Sequence, residues 1–235
     1  MDFNTGPESG RSSPEPGGTR RPAPRGAGGE FTLSDPVASF VRTVVRAVTQ
    51  PVPFFRGIAR QGDFINPLVF ALICALISAF LTGILGIIFA PLFAGPGDTA
   101  EAFAGGIGGF LVGLILTPIY TAIAAIVLVI VAGILHLLVL IFVRPGNAGF
   151  EATFRIASYT QVTQLVTWIP IIGSIIGAIW AIVLYIFGVR EVHGTSTGTA
   201  ALVVLIPVAL VLILLVIFGI SAALLVFLLG NQQQF

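Results

Sequence analysis

Long, nearly unbroken apolar runs occupy most of the chain from Pro67 onward. A hydrocarbon core of about 30 Å is crossed by about 20 apolar residues of helix, at about 1.5 Å each. The runs predict five membrane-spanning helices, over 67–92, 107–143, 152–168, 171–189 and 200–229. We therefore expect an all-α integral membrane protein, with a bundle of five transmembrane helices over residues 61–230 and a short outer tail over 231–235.

The second predicted span lies in an apolar stretch from 104 to 143, which is too long for one untilted helix and is interrupted by Pro118. Eight arginines precede the first span, the loop 95–103 carries only acidic charges, and Arg144 follows the stretch. The positive-inside rule then favours one crossing by a long, tilted or kinked helix. Residues 104–118 belong either to this span or to a re-entrant segment. The stretch also contains glycines at four-residue spacing, which permit close contact between helices. They are Gly105, Gly109 and Gly113.

The third predicted span, 152–168, is too polar for a helix that faces lipid, so we expect it to be buried among other helices. It would begin inside near Arg155 and end outside at Trp168, since indole rings favour the membrane boundary. The turn at Pro170 would return the chain to Arg190 on the inside. The sequence thus predicts a cytoplasmic N-terminus and a C-terminus outside the cell membrane.

Two segments precede the first span. Residues 1–34 are rich in Gly, Pro, Ser and Thr, which predicts a disordered cytoplasmic tail. Residues 35–60 predict an N-terminal amphipathic interfacial helix, in which Asp35 can cap and arginines lie on the polar side. An alternative is that this helix packs on the protein's own cytoplasmic surface. Its apolar positions recur at helical spacing: Val37, Phe40, Val41, Val44, Val45 and Val48.

Composition narrows the class of protein. The chain has 56% hydrophobic and 9% charged residues, with a mean hydropathy of +1.05, which excludes a soluble globular fold. A net charge of +1 provides no basic face for nucleic acid. Cys74 is the single cysteine, so it makes neither an intrachain disulfide nor a metal site alone. With no catalytic motif in its required context, we expect no enzyme activity, no catalytic residue, no metal and no cofactor.

The remaining candidates for binding are polar groups within or beside the spans, where they are costly in lipid. Arg155 either pairs with Glu151, four residues before it, or extends to the inner headgroups. Tyr159 and its polar neighbours either line a hydrated path or make hydrogen bonds between helices. His136, in the second span, either hydrogen-bonds a neighbouring helix or relays protons. Anchoring at the membrane boundary explains the polar residues that follow the fourth span, Arg190, Glu191 and His193. The candidates are His136, Glu151, Arg155, Tyr159, Gln161, Arg190, Glu191 and His193.

Five short motifs follow one another in an order that spans the chain from about 35 to 229. They are Gln50-Pro51 with Phe54-Phe55-Arg56, Asp63 with Asn66-Pro67, Gly149 to Arg155 with Ser158-Tyr159, Ile169-Pro170 with Gly173 and Trp180, and Gly188 to Gly194. This series resembles the Yip-one domain family of five-span membrane proteins, in its bacterial type. In eukaryotes the resemblance implies a cytoplasmic N-terminus and small Rab-type GTPases as partners in vesicle traffic. Bacterial relatives have no defined activity.

Two functions fit these features. The first is a non-enzymatic scaffold or adaptor that organises the lipid bilayer, other membrane proteins or further copies of itself. The second is a small transporter or channel that uses the polar third helix. Water contact along residues 156–167 distinguishes them, because a transport path is hydrated and a packed helix is not.

Overall fold

The computed structural model describes residues 29–95, 97–143 and 146–231, with side chains to residue 222. All regular elements in these ranges are helical, which confirms the predicted all-α class. The α-helices are α1 (Pro36–Thr49), α2 (Pro51–Arg56), α3 (Ile65–Phe89), α4 (Thr99–Phe142), α5 (Phe150–Thr160), α6 (Gln164–Thr167), α7 (Ile172–His193) and α8 (Thr197–Asn231). Short 3₁₀ turns follow α3 at Ala90–Phe93 and join α5 to α6 at Gln161–Thr163.

Four helical stretches in the described residues are long and apolar enough to cross a membrane. They cover Ile65–Phe93, Thr99–Phe142, Ile172–His193 and Thr197–Ala222. The chain is therefore a multi-pass membrane protein. The third predicted span is not among these four, because α5 and α6 are short, polar and separated by the 3₁₀ turn.

The segment from α5 to α6 is nevertheless the centre of the bundle. Every residue from Ala152 to Thr160 is buried, and the segment contacts α3, α4 and α7. The apolar helices thus pack around a polar helical segment, whose backbone is paired within itself. The expected burial among other helices holds from Ala152 to Thr163 apart from the partly exposed Gln161, whereas α6 has no buried residue and Val166 is exposed.

The helix α4 passes through Pro118 without a break in helical structure. Its 44 residues correspond to about 66 Å of helix, about twice the hydrocarbon core. The close approach of α4 to α3 does not use the predicted glycine series. Gly106 lies against the backbone of Ile87 instead, whereas Gly109 has open space where a side chain would be. The series Gly105, Gly109 and Gly113 lines a groove between α3 and α4, where no atom lies within contact distance of an added Cβ.

The ends of six helices meet at one end of the bundle, which we call the charged end. Leu33, before α1, donates its N–H to Asn66 Oδ1 at the start of α3 (2.9 Å). Ala148, before α5, donates its N–H to His193 Nδ1 at the end of α7 (3.0 Å). α8 begins at the same place, and α4 ends there, since His136 of α4 bonds α5.

The helix α1 presents three different faces. Its small residues Ser39, Thr43 and Ala47 are buried against the protein. Its valines point outward, with Val37 at 77% and Val41 at 56% exposure. Asp35 makes no side-chain cap, and its carboxylate lies 3.6 Å from the guanidinium of Arg42 on the third face.

Candidate functional site

Arg155 is the centre of an ion network at the charged end. It lies in the second turn of α5, and its side chain is only 5% exposed. Its Nη2 donates to Glu151 Oε1 at 3.3 Å, the pairing expected for residues four apart on one helix. The shorter contact is with Glu30, whose Oε2 accepts from Arg155 Nη1 at 2.6 Å. Arg155 is therefore a buried pairing partner and does not extend to solvent.

Glu30 is the network residue that the sequence analysis missed. Its side chain is 7% exposed and accepts three hydrogen bonds, from Arg155, from the hydroxyl of Tyr159 (3.1 Å) and from the N–H of Ala59 (2.7 Å). Residue 30 falls within the predicted disordered tail 1–34. Residues 30 and 33 of that tail bond α5 and α3 in the structure, and residues 1–28 lie outside the described part. The sequence offers one weak sign that residue 30 packs on the protein: Glu30 is followed directly by the aromatic Phe31, at the end of a Gly-rich stretch.

Three carboxylates surround the single guanidinium. Besides Glu30 and Glu151, the carboxylate of Asp63 lies 3.9 Å from Arg155, and the Asp63 carbonyl accepts from Nη2 at 2.9 Å. A Cβ on Gly62 would come within 2.7 Å of Nη2, so only glycine fits this loop without a shift of Arg155. The arrangement joins α5 to the loop before α3 and to the chain before α1. It stabilises the charged end through contacts that no single helix provides.

A second polar group links the ends of three helices. Thr153 Oγ1 of α5 lies 2.9 Å from His136 Nδ1 of α4 and 3.1 Å from His193 Nε2 of α7. Because the N–H of Ala148 donates to His193 Nδ1, the neutral ring carries its proton on Nε2 and donates it to Thr153. Both histidines thus hydrogen-bond neighbouring elements, as the packing interpretation of His136 expected.

Glu191, near the end of α7, pairs with Arg56 of α2 and with the adjacent Arg190. Its Oε2 accepts from Arg56 Nε at 2.9 Å, and its Oε1 accepts from Arg190 Nε at 2.9 Å. The Arg190 guanidinium also lies over the ring of Phe187, 5.1 Å from its centre. The Glu191 carboxylate is 11% exposed, and its bond to Arg56 is the contact that links α2 to the end of α7 in this group.

The two glutamines beyond α5 bond mainly within their own segment. Gln161 Nε2 donates to the carbonyl of Ala157, and Gln164 Nε2 donates to Gln161 Oε1. Both side chains border a recess between α3 and α4. They lie away from the Arg155 network, so the structure does not gather the candidate residues into one site.

The chemistry available at these groups is pairing and positioning. In the part of the chain that the structure describes, no three His, Cys, Asp or Glu side chains converge in a way that could hold a metal ion. A cleft of about 540 Å³ beside the network is lined by Arg60, Gln61, Gly62 and residues 148–151. Arg60 and Glu151 both border this cleft.

Comparison with known proteins identifies the family. No curated protein and no solved structure gives a significant match to the chain. The family model of the Yip1 domain matches residues 45–218, which is more than half of the chain and runs from within α1 into α8. The match includes Arg155 and its partner Glu151 and begins after Glu30. The chain therefore belongs to the Yip1 domain family, as its motif series had indicated.

Proposed function

We propose that this protein is a non-enzymatic membrane scaffold or adaptor that organises the bilayer or partner membrane proteins. The observation that carries this proposal is the burial of every residue of α5 from Ala152 to Thr160. The Yip1 family is not known for enzymatic activity. A role in binding small GTPases, or in vesicle traffic, has only the family resemblance behind it.

Two threonine hydroxyls of the central segment are bonded inside the protein, whereas the buried hydroxyl of Ser158 has no partner among the described residues. The hydroxyl of Thr160 donates to the Ile156 carbonyl, and the hydroxyl of Thr163 donates to the Thr160 carbonyl. Tyr159 is fully buried and bonds Glu30. Hydroxyls satisfied in this way do not need water, and a hydrated transport path would need them to face it. This favours a packed scaffold over a transporter.

We also propose that the chain crosses the cell membrane five times, with the charged end in the cytoplasm. The helical segment from Phe150 to Thr167 is about 27 Å long at 1.5 Å per residue, close to the hydrocarbon thickness. Its start and the end of α7 meet at the charged end, so the two form an antiparallel pair. Arginines lie at this end, whereas Asp98 precedes α4 and Glu101 lies in its first turn, at the start of the helix whose other end reaches the charged end.

We propose further that α1 lies at the membrane boundary on the cytoplasmic side. One face is bound to the bundle, and the adjacent face carries four exposed valines at helical spacing, Val37, Val41, Val45 and Val48. Arg42 and Arg46 lie on the remaining side, where they can reach anionic headgroups. The helix therefore has an apolar stripe for lipid and a basic stripe for lipid phosphates beside its protein contact.

Cysteine labelling tests the scaffold proposal. Cys74 is the only native cysteine and is fully buried, so Cys74→Ala gives a background without thiols. Cysteines at Ser158 and Thr160 are near-isosteric, and Gln61→Cys is the exposed control. We expect a membrane-impermeant maleimide to label the Gln61 variant and to leave the other two unlabelled. Labelling of both buried positions in intact membranes would show a hydrated path and support the transporter instead.

Fluorescence quenching tests the position of α1. A bimane label on Val41→Cys in nanodiscs with anionic lipid should be quenched by a nitroxide on the upper part of a lipid acyl chain, where the apolar face of an interfacial helix lies. The matched control is Arg42→Cys, which lies on the next face of the same helix and should be quenched less. Equal quenching at the two positions would contradict an interfacial orientation.

A further inference from the structure

The carboxylate of Glu30 occupies a pocket made by distant parts of the chain. Arg155 and Tyr159 come from α5, and the N–H of Ala59 comes from the turn after α2. Both carboxylate oxygens are engaged, Oε2 by two side chains and Oε1 by the backbone. Donors of this kind form a built receptor for a carboxylate, and charge-assisted bonds make it strong.

An aromatic pocket adjoins this receptor. Phe31 is 2% exposed, and its ring lies 6.0 Å from that of Phe70 and 6.5 Å from that of Phe40. The ring of Phe70 also lies 5.3 Å from Tyr159, so one wall is common to both pockets. An acidic residue followed directly by an aromatic one fills the two pockets together.

The main chain on either side is held by two side chains of α1, the helix that follows it, and by one side chain of α3. Thr43 Oγ1 donates to the Gly29 carbonyl at 3.0 Å, and Ser39 Oγ accepts from the N–H of Thr32 at 3.0 Å. Asn66 Oδ1 accepts from the N–H of Leu33. Residues 29–34, which we call the arm, are thus held as a bound peptide is held, by side-chain pockets and by backbone hydrogen bonds.

We propose that this double pocket is a peptide-binding site for an acidic residue followed by an aromatic residue. The arm fills it in cis through Glu30 and Phe31, and the same kind of segment from another protein takes the site when the arm leaves. When the arm leaves, Arg155 keeps Glu151 and Asp63 as carboxylate partners. Departure of Glu30 also removes one of three negative charges around a single guanidinium.

The arm regulates the site through its local concentration. A tethered ligand competes at an effective concentration in the millimolar range, so a segment in trans binds the wild-type protein weakly. Only the identity of such a trans partner rests on the proposed adaptor function. If no peptide binds, the labelling test still decides whether the protein is a packed scaffold. If labelling shows that α5 is hydrated, the peptide test still decides whether the double pocket binds peptides.

The test uses the full-length protein in detergent and a fluorescein-labelled peptide GEFTLSD, which is the sequence of residues 29–35. The double variant Glu30→Ala with Phe31→Ala empties the pocket. We expect saturable binding of the peptide to this variant by fluorescence anisotropy, and binding to the wild type that is about tenfold or more weaker. The control peptide GQFTLSD, with the charge removed, should bind at least about tenfold more weakly than GEFTLSD.

Two outcomes would overturn the proposal: absence of saturable binding to a folded variant, or equal binding of GEFTLSD and GQFTLSD. Folding is checked by a monodisperse elution profile and by thermal unfolding. If the double alanine variant does not fold, Glu30→Gln with Phe31→Leu keeps the packing volume, weakens the arm and decides the question by the same measurement. Tyr159→Phe, which removes one donor to the carboxylate, should weaken binding of GEFTLSD and leave the weak binding of GQFTLSD unchanged.

Discussion

Replacement of Arg155 by alanine is the sharpest test of the ion network. The change removes the guanidinium from Glu30, whose side chain is 7% exposed, and from Glu151, which is 21% exposed. Loss of one partner from a buried pair costs about 3–5 kcal/mol, because the remaining charge stays desolvated. Since Tyr159 and the N–H of Ala59 still donate to Glu30, we expect about 3 kcal/mol, at the lower end of that range.

Thermal unfolding in detergent measures this cost. For a chain of this size, about 3 kcal/mol corresponds to a fall in Tm of roughly 6–12 °C. Arg155→Lys keeps the charge and loses the planar fork that reaches two groups, so its Tm should be intermediate. The matched control is Arg42→Ala, whose pair with Asp35 is about half exposed and is expected to contribute about 0–1 kcal/mol.

A double-mutant cycle separates the ion pair from other effects of the substitution. The coupling energy between Glu30→Ala and Arg155→Ala should clearly exceed that between Asp35→Ala and Arg42→Ala. If Arg155→Ala has the Tm and the membrane abundance of Arg42→Ala, the reasoning is refuted. Arg155 would then be a surface anchor.

Three further predictions concern packing, hydrogen bonding and topology. Gly173→Ala should lower the free energy of unfolding by about 1–3 kcal/mol, because the added Cβ would lie 2.0 Å from the backbone oxygen of Val166. Gly109→Ala is the control and should leave the stability unchanged, because its Cβ meets open space. Thr153→Val should lower the free energy of unfolding by about 1–3 kcal/mol, because His136 and His193 both lose their hydrogen-bond partner. Thr117→Val loses only a bond to its own helix and should cost less. Equal costs for the two variants would contradict this interpretation. Reporter fusions at 62, 147 and 195 should give a cytoplasmic signal, and fusions at 97 and 235 should give an outside signal. A cytoplasmic signal at both termini would refute five crossings.

Hydrophobic runs alone determined that this is an all-helical, multi-pass membrane protein, because lipid forces apolar composition on every exposed helix. They also set the extent of the long helices, of which α4 is continuous through Pro118. The order of short motifs identified the family, since α2, α5 and α7 each carry one of them. Polarity predicted that α5 is buried, because a polar helix is unfavourable in contact with lipid.

The partners of the polar residues were decided only by the tertiary structure. Helical spacing found the pair of Arg155 with Glu151, which is local. It could not find Glu30, which is 125 residues away from Arg155 and reaches it only when the chain before α1 folds onto the bundle. Nor could spacing show that Thr153 joins two histidines from other helices. Such contacts depend on the relative placement of helices, which side-chain packing sets.

The helix α1 shows the same division. Its sequence determined an amphipathic helix with valines and arginines on different sides. The tertiary structure decided that the small residues Ser39, Thr43 and Ala47 face the protein, since they allow the helix to approach the bundle closely. The valine face is therefore left exposed beside the bundle. Sequence periodicity records which residues share a face, and only packing decides what that face meets.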